Sequence, residues 1–218
     1  MKRALLSWSS GKDSAWALHL ARAQEIQIAG LLTTINESAD RVAMHAVRRA
    51  LVEAQAEAAG LPLRIVPLPW PCSNQQYEAL MAEACRAAVA DGFDAIVFGD
   101  LFLRDMREYR ERTLRGSGLA PVFPLWQLPT RELARTMLAA GLRARITCID
   151  KNHLNATFAG REFDAALLAD LPPQVDPCGE NGEFHTFAYD GPMFHHPIPV
   201  RAGELRDADG FVFADLLP

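Results

Sequence analysis

Ala4-Leu5-Leu6-Ser7-Trp8-Ser9-Ser10-Gly11-Lys12-Asp13-Ser14 is the stretch on which the fold turns. Ala4 to Trp8 reads as a short buried strand and Ser9 to Gly11 as a tight polar turn. A helix then starts at Lys12 or Asp13 and is continued by Trp16, Leu18 and Leu20. A small-residue turn between a strand and a helix gathers backbone N–H groups at a helix N-terminus, where an anion is favoured. Ser9, Ser10 and Gly11 let a phosphate approach the backbone, and Lys12 adds a point charge beside it. This is not the Walker loop, because no glycine stands at the position before Gly11 that G-x-x-x-x-G-K-[ST] requires. The plain alternative is an ordinary strand–helix turn in which Ser9 or Asp13 caps the helix and Lys12 is solvated.

Outward from this stretch the chain alternates. Ile26–Thr34 is apolar on both faces, as a buried parallel strand is, and ends in the polar loop Asn36-Glu37-Ser38. A long alanine-rich helix is expected over Arg41–Ala59, stopped by Gly60, and a third strand over Leu63–Leu68. Pro67, Pro69 and Pro71 stiffen the next connection, and Ser73 or Asn74 caps a helix running to about Ala90. Phe93–Gly99 is a fourth strand with Asp100 just past its end, followed by a charged helix over Leu101–Arg115. Four strand–helix alternations of this length give a doubly wound parallel sheet. Ligands of such sheets bind beyond the carboxyl ends of the strands, at the switch point. There the Ser9–Ser14 turn, Asn36–Arg41, Pro67–Pro71 and Gly99-Asp100 converge.

After Leu119 the texture changes, which divides the chain into residues 1–119 and a smaller α+β portion over 120–218. The second part holds the extended Ala120–Trp126, a helix over Arg131–Ala140 capped by Thr130, a strand over Leu142–Ile149 and a short helix over Arg161–Asp170. Further strands are expected at Glu183–Tyr189 and Phe211–Ala214. A chain of 218 residues that is 50% hydrophobic supports this much core. A net charge of −5 gives no reason to expect general nucleic-acid binding. Cys72, Cys85, Cys148 and Cys178 form no C-x-x-C pair, which argues against a zinc site and for a reducing compartment. The N-terminal apolar run is too short for a signal peptide and no run spans a membrane, so a cytoplasmic protein is expected. The apolar C-terminal portion leaves a homodimer open.

A second stretch carries chemistry: Asp176-Pro-Cys-Gly-Glu180-Asn-Gly-Glu183-Phe-His185-Thr-Phe. Glu180 and Glu183 flank a glycine turn. They are suited to binding ammonium, orienting an amine or holding Mg²⁺, or else they are the solvated acids of a polar loop.

Ser9–Ser14 resembles the S-G-G-K-D-S loop of the PP-loop ATP pyrophosphatases, with Ser10 in place of the first glycine. Gly179–Thr186 resembles the G-E-x-G-E-[YF]-x-T signature of the diphthine–ammonia ligase family, and Pro124-Leu125-Trp126, Arg107 and Glu111 fall at family-like positions. The landmarks run from Ser9 to Thr186 and so cover nearly the whole chain. The resemblance implies an adenine nucleotide α-hydrolase fold of the HUP type. It also implies ATP-dependent activation of a carboxylate as an acyl-adenylate, release of pyrophosphate, and attack by ammonia to leave an amide and AMP. It places Ser9, Ser10, Gly11, Lys12, Asp13, Ser14, Asn36 and Arg41 around ATP, with Lys12, Asp13, Asp100 and Glu183 as the catalytic set. Asp13 and Asp100 would hold Mg²⁺. His45, Arg107, Glu111, Glu180, Glu183 and His185 would stand on the substrate and ammonia side.

Each of these has a plainer reading. Asp13 is also a helix cap, Asp100 a helix start, Arg41 and His45 a solvated face, and Arg107 with Glu111 a surface pair. His185 stands where the diphthamide-making branch carries Glu, and the segments Ser7–Leu18 and Arg41–His45 look like bacterial members. That leaves the acceptor open, a small carboxylate included. The competing readings are an ATP- or AMP-sensing module without turnover and a PP-loop enzyme that modifies tRNA.

Overall fold

Arg3–Ser7 forms β1, and its pleat explains its composition. Ala4 and Leu6 pack on one face of the sheet and Leu5 on the other, all three fully buried. The computed structural model describes residues 2–42 and 45–218. The turn after β1 leads into α1 (Lys12–Ala23), and β2 (Gln27–Asn36) returns parallel to β1. A short strand β3 (Arg41–Val42) folds back antiparallel on Ile35 and Asn36, before α2 (Arg49–Ala59) and β4 (Leu63–Leu68). The chain continues through α3 (Asn74–Ala90), β5 (Ala95–Val97), α4 (Arg104–Leu114) and β6 (Ala120–Val122).

β4 pairs parallel with one edge of β2 and β1 with the other, β5 lies on the far side of β1, and β6 follows β5. The strand order therefore reverses between β1 and β5, which sets the crevice at the carboxyl ends of these two strands. Gly99 makes the approach possible. A Cβ there would stand 3.0 Å from both the carbonyl carbon of Asp13 and the nitrogen of Ser14.

The second sheet is antiparallel, in the order β8 (Phe184–Asp190), β7 (Arg143–Asp150), β10 (Phe211–Leu217), β9 (Arg201–Ala208). α5 (Thr130–Ala139) and α6 (Ala165–Asp170) flank it. Ile146, Phe184 and Phe187 join Leu6, Trp8, Trp16 and Leu31 in one continuous core, while α3 and α4 cover a separate apolar layer on the opposite face of the first sheet. A direct backbone bond, from the Ala188 N–H to the Ser10 carbonyl at 3.0 Å, ties β8 to the anion loop.

Several expectations are corrected. Arg41 and Val42 are extended rather than helical: the Val42 N–H bonds the Val47 carbonyl at 2.8 Å, Ala46 turns with φ of 55°, and the helix waits until Arg49. The part of the expected helix at 43 and 44 lies outside the described residues. α4 starts at Arg104 rather than Leu101, because the N–H groups of Leu101 and Phe102 donate to Glu180. Pro129 occupies the cap position before Thr130, and α6 starts only at Ala165, capped by the Asp164 carboxylate at 2.7 Å. Ala120–Val122 completes the first sheet instead of leaving it, and the chain turns at Pro124–Gln127. β9 has no counterpart in the expected elements, since its outward side chains hide the alternation that marks a strand.

Candidate functional site

The Ser9–Ser14 loop owes its shape to one strained residue. Ser10 has φ of 71°, a left-handed conformation that costs an L-residue about 1–2 kcal/mol. Its side chain is fully buried and its Oγ has no hydrogen-bond partner. The strain is held by tertiary contacts. The Ser10 carbonyl accepts from Ala188 N–H and from Gln55 Nε2 at 2.9 Å, and Gln55 Oε1 accepts from the Trp8 indole at 2.8 Å. Gln55 is itself buried, so all of its polar capacity goes into holding β1, the loop and β8 together. Inside the loop, Ser9 Oγ and Ser14 Oγ are 3.2 Å apart, and Ser14 Oγ donates to the Gly11 carbonyl.

Lys12 does not reach into solvent. It is 1% exposed, and its ammonium donates to Asp13 Oδ2 at 2.8 Å and to the Cys178 carbonyl, with the rings of Phe163 and Phe184 beside it. Burial opposes its charge, but Asp13, with Cys178 and Asp176 beside it, holds the ammonium above the usual lysine range. The Lys12 backbone N–H donates to Thr186 Oγ1 at 3.1 Å. The two informative stretches of the chain thus meet at one residue.

A cavity of about 1180 Å³ opens beyond the carboxyl ends of β1, β2, β4 and β5. Ser9, Lys12, Asp13, Ser14, Asn36, His45, Asp100, Glu180 and His185 line it. Burial raises the Asp100 carboxyl above its ordinary value despite Arg110, whose Nε lies 3.7 Å away. Burial likewise raises Asp13. Asp13 Oδ1 and Asp100 Oδ2 are buried and lack hydrogen-bond partners.

Glu180 accepts from the N–H groups of Leu101 (2.8 Å) and Phe102 (3.3 Å) through a single oxygen. Burial, with Asp13 and Asp100 adding negative charge nearby, pushes its carboxyl up to about 7. His45 and His185 face each other with ring centroids 4.6 Å apart. Burial holds both neutral, at about 3 and about 4. His45 Nδ1 lies 3.2 Å from the Thr186 carbonyl, which can only accept, so the proton is on Nδ1 and Nε2 is left as a bare acceptor.

Other expected residues lie off the cavity wall. Ser10 and Gly11 contribute backbone shape alone. Arg41 donates to the Ala46 carbonyl and, with Arg48, grips Asp215 of β10 at 2.8 and 2.5 Å, which brings that carboxyl down to about 2. Arg41 is therefore a tie between the two sheets. Arg107 pairs with Glu111 at 2.8 Å and lies over Trp126 and Phe123, beside a separate shallow pocket on the outer side of α4. Glu183 is 1% exposed, and its carboxylate accepts from Asp176 N–H, Asn181 N–H and the Asn181 amide at 2.9–3.0 Å. It braces its own loop, and the carboxylate that faces the cavity from this turn is Glu180.

The sequence reading missed Gln55 and Thr186. A lone glutamine among Leu51, Val52 and Ala56 on a buried helix face is the signal for the first. For Thr186 the signal is its place as the closing threonine of the Gly179–Thr186 signature.

Two family models match the chain. The model described as diphthamide synthase N-terminal domain matches residues 1–121, and that described as diphthamide synthase C-terminal domain matches residues 129–213. The chain belongs to the diphthamide synthase family. Its curated relatives include the diphthine–ammonia ligases of Mus musculus and Homo sapiens, each 26% identical over 93% of this chain and 85% of their own. A third, from Schizosaccharomyces pombe, matches 51% of this chain and 19% of its own length, also at 26% identity. In this member of the diphthamide synthase family, the second family domain supplies Glu180, His185 and Thr186 to a cavity whose loop belongs to the first. Among the described residues, no helix is long and apolar enough to cross a membrane.

Proposed function

We propose that this chain is an ATP-dependent amide ligase that activates a carboxylate as an acyl-adenylate and passes it to ammonia. The observation that supports this most is the Lys12–Thr186 bond, which seats the diphthamide-type signature directly on an anion loop at the switch point. In the reaction, a carboxylate oxygen of the acceptor bonds to the α-phosphorus of ATP, and the bond to the β-phosphate breaks. Loop N–H groups receive the pyrophosphate together with the Ser9 hydroxyl, turned from Ser14 Oγ, and the buried Lys12 cation stabilises the charge that develops on it.

Asp13 Oδ1 and Asp100 Oδ2, buried without hydrogen bonds, fit Mg²⁺, which takes one or two carboxylates together with phosphate oxygens, although Arg110 already stands 3.7 Å from Asp100 Oδ2. Among the described residues no three His, Cys, Asp or Glu side chains group into a cage of their own, as fits an ion carried in with the nucleotide. When bound, the ion supplies charge neutralisation at the phosphates.

Ammonia then attacks the acyl carbon, and the bond from that carbon to AMP breaks. Glu180, with its carboxyl near 7, takes the extra proton from the nitrogen. His45 Nε2 accepts a hydrogen bond from the same nitrogen. The cation-repelling surroundings of His45 and His185 suit the neutral amine over ammonium.

The test is product analysis of the purified protein with Mg-ATP, ammonium and a pool of carboxylate acceptors. AMP and pyrophosphate that form only with the pool support the reading, and ADP with phosphate overturns it. Bound ATP that is never cleaved points instead to the sensing module, and tight tRNA binding at physiological salt to the tRNA-modifying enzyme.

A further inference from the structure

β9 ends the second sheet, hydrogen-bonded to β10 on one side only. It is eight residues long and mostly exposed, and Leu205 at its middle is 61% exposed. A long edge strand with an outward apolar residue is a template for pairing unless something covers it.

The register of that edge follows from the hairpin. Asp209 and Gly210, with φ of 53° and 87°, make a two-residue turn that sets Ala208 opposite Phe211. By alternation along the regular part of this antiparallel pair, Ala208 and Arg206 direct their backbone groups to β10, and Asp207 and Leu205 direct theirs outward. A second β9 running antiparallel about Leu205 would exchange both backbone bonds between the two Leu205 residues. The same register sets Glu204 opposite Arg206 of the partner, twice by symmetry. Centring the pairing on Glu204, Arg206 or Asp207 sets like charges face to face. One register alone is therefore self-complementary in both backbone and charge. Gly203 and Glu204 together stand against Asp215 of β10, and Asp207 faces Gly203 of the other copy about this two-fold, so regular pairing is confined to Glu204–Arg206.

From this edge we infer that two copies of the chain associate through β9, antiparallel about Leu205, into one continuous eight-stranded sheet. The interface is independent of the reading of the cavity.

Sedimentation velocity of the full chain tests it over a concentration series to about 100 μM. A dimer is expected. Glu204→Arg sets like charges opposite each other and should weaken the dimer roughly tenfold or more, and Glu204→Arg with Arg206→Glu should restore it. Leu205→Cys, in a Cys72→Ala background, should cross-link to itself with a short thiol-reactive reagent, since paired Cα atoms across a ladder lie ~5.5 Å apart. A monomer throughout the series overturns the inference. So does a dimer indifferent to Glu204→Arg, or one that fails to cross-link through residue 205.

Discussion

The backbone N–H of Lys12 donates to the Thr186 hydroxyl, 174 residues further along the chain, at 3.1 Å. Thr186 also offers its carbonyl to His45. One buried threonine thus fixes the anion loop and the tautomer of a cavity histidine together.

Thr186→Val should uncouple these. Valine keeps the shape and leaves a buried N–H without an acceptor, at a cost of about 1–3 kcal/mol. Urea unfolding should show that loss, and Thr186→Ser should recover most of it. Equal stability of the valine variant would mean the bond contributes nothing.

Ser10→Gly should stabilise the fold by about 1 kcal/mol, because glycine adopts φ of 71° without strain. Ser10→Ala keeps the strain and removes only the partnerless hydroxyl. If the two variants melt alike, the hydroxyl and not the backbone carries the cost.

Lys12→Met should lower pyrophosphate release roughly 10²–10³-fold, the scale of losing one preorganised charge at a transition state. It also strands Asp13, its ion-pair partner. Lys12→Met with Asp13→Asn should therefore regain stability in a thermal melt without regaining turnover. Recovery of both would make the pair structural.

Glu180 gives a pH signature in stability and in rate. Its carboxyl is raised to about 7 in the fold, so between about 4.5 and 7 the native state holds a proton that the unfolded chain has released. The stability this adds is complete below about 4.5 and is lost as pH rises through 7, at most about 3 kcal/mol. Glu180→Gln should flatten that slope. The amide-forming step should rise with pH through about 7 in the natural protein and lose this limb in the variant.

His45 and His185 act with the opposite sign. Held at about 3 and about 4, they stay neutral in the fold while the unfolded chain charges below 6.5. Stability should fall as pH drops from 6.5 towards 4, and His45→Gln with His185→Asn should remove most of that fall in acid titration followed by circular dichroism.

The amino-acid sequence by itself determined the doubly wound sheet, the strand–turn–helix around Ser9–Ser14 and the convergence of that turn with Asn36 and Asp100. Each of these rests on local periodicity and on the rule that parallel strands deliver their ends to one crevice. The strain at Ser10 has its mark in the sequence only through the resemblance, as a serine in place of the PP-loop's first glycine.

The tertiary structure decided which charged residues reach the cavity. Arg41 turns to Asp215, Glu183 folds into its own loop, Arg107 and Glu111 pair on the outer side of α4, and Glu180 takes the amides in front of that helix. A buried carboxylate or guanidinium goes to whichever donors or acceptors long-range packing brings within about 3 Å, and that choice is made between segments far apart in the chain.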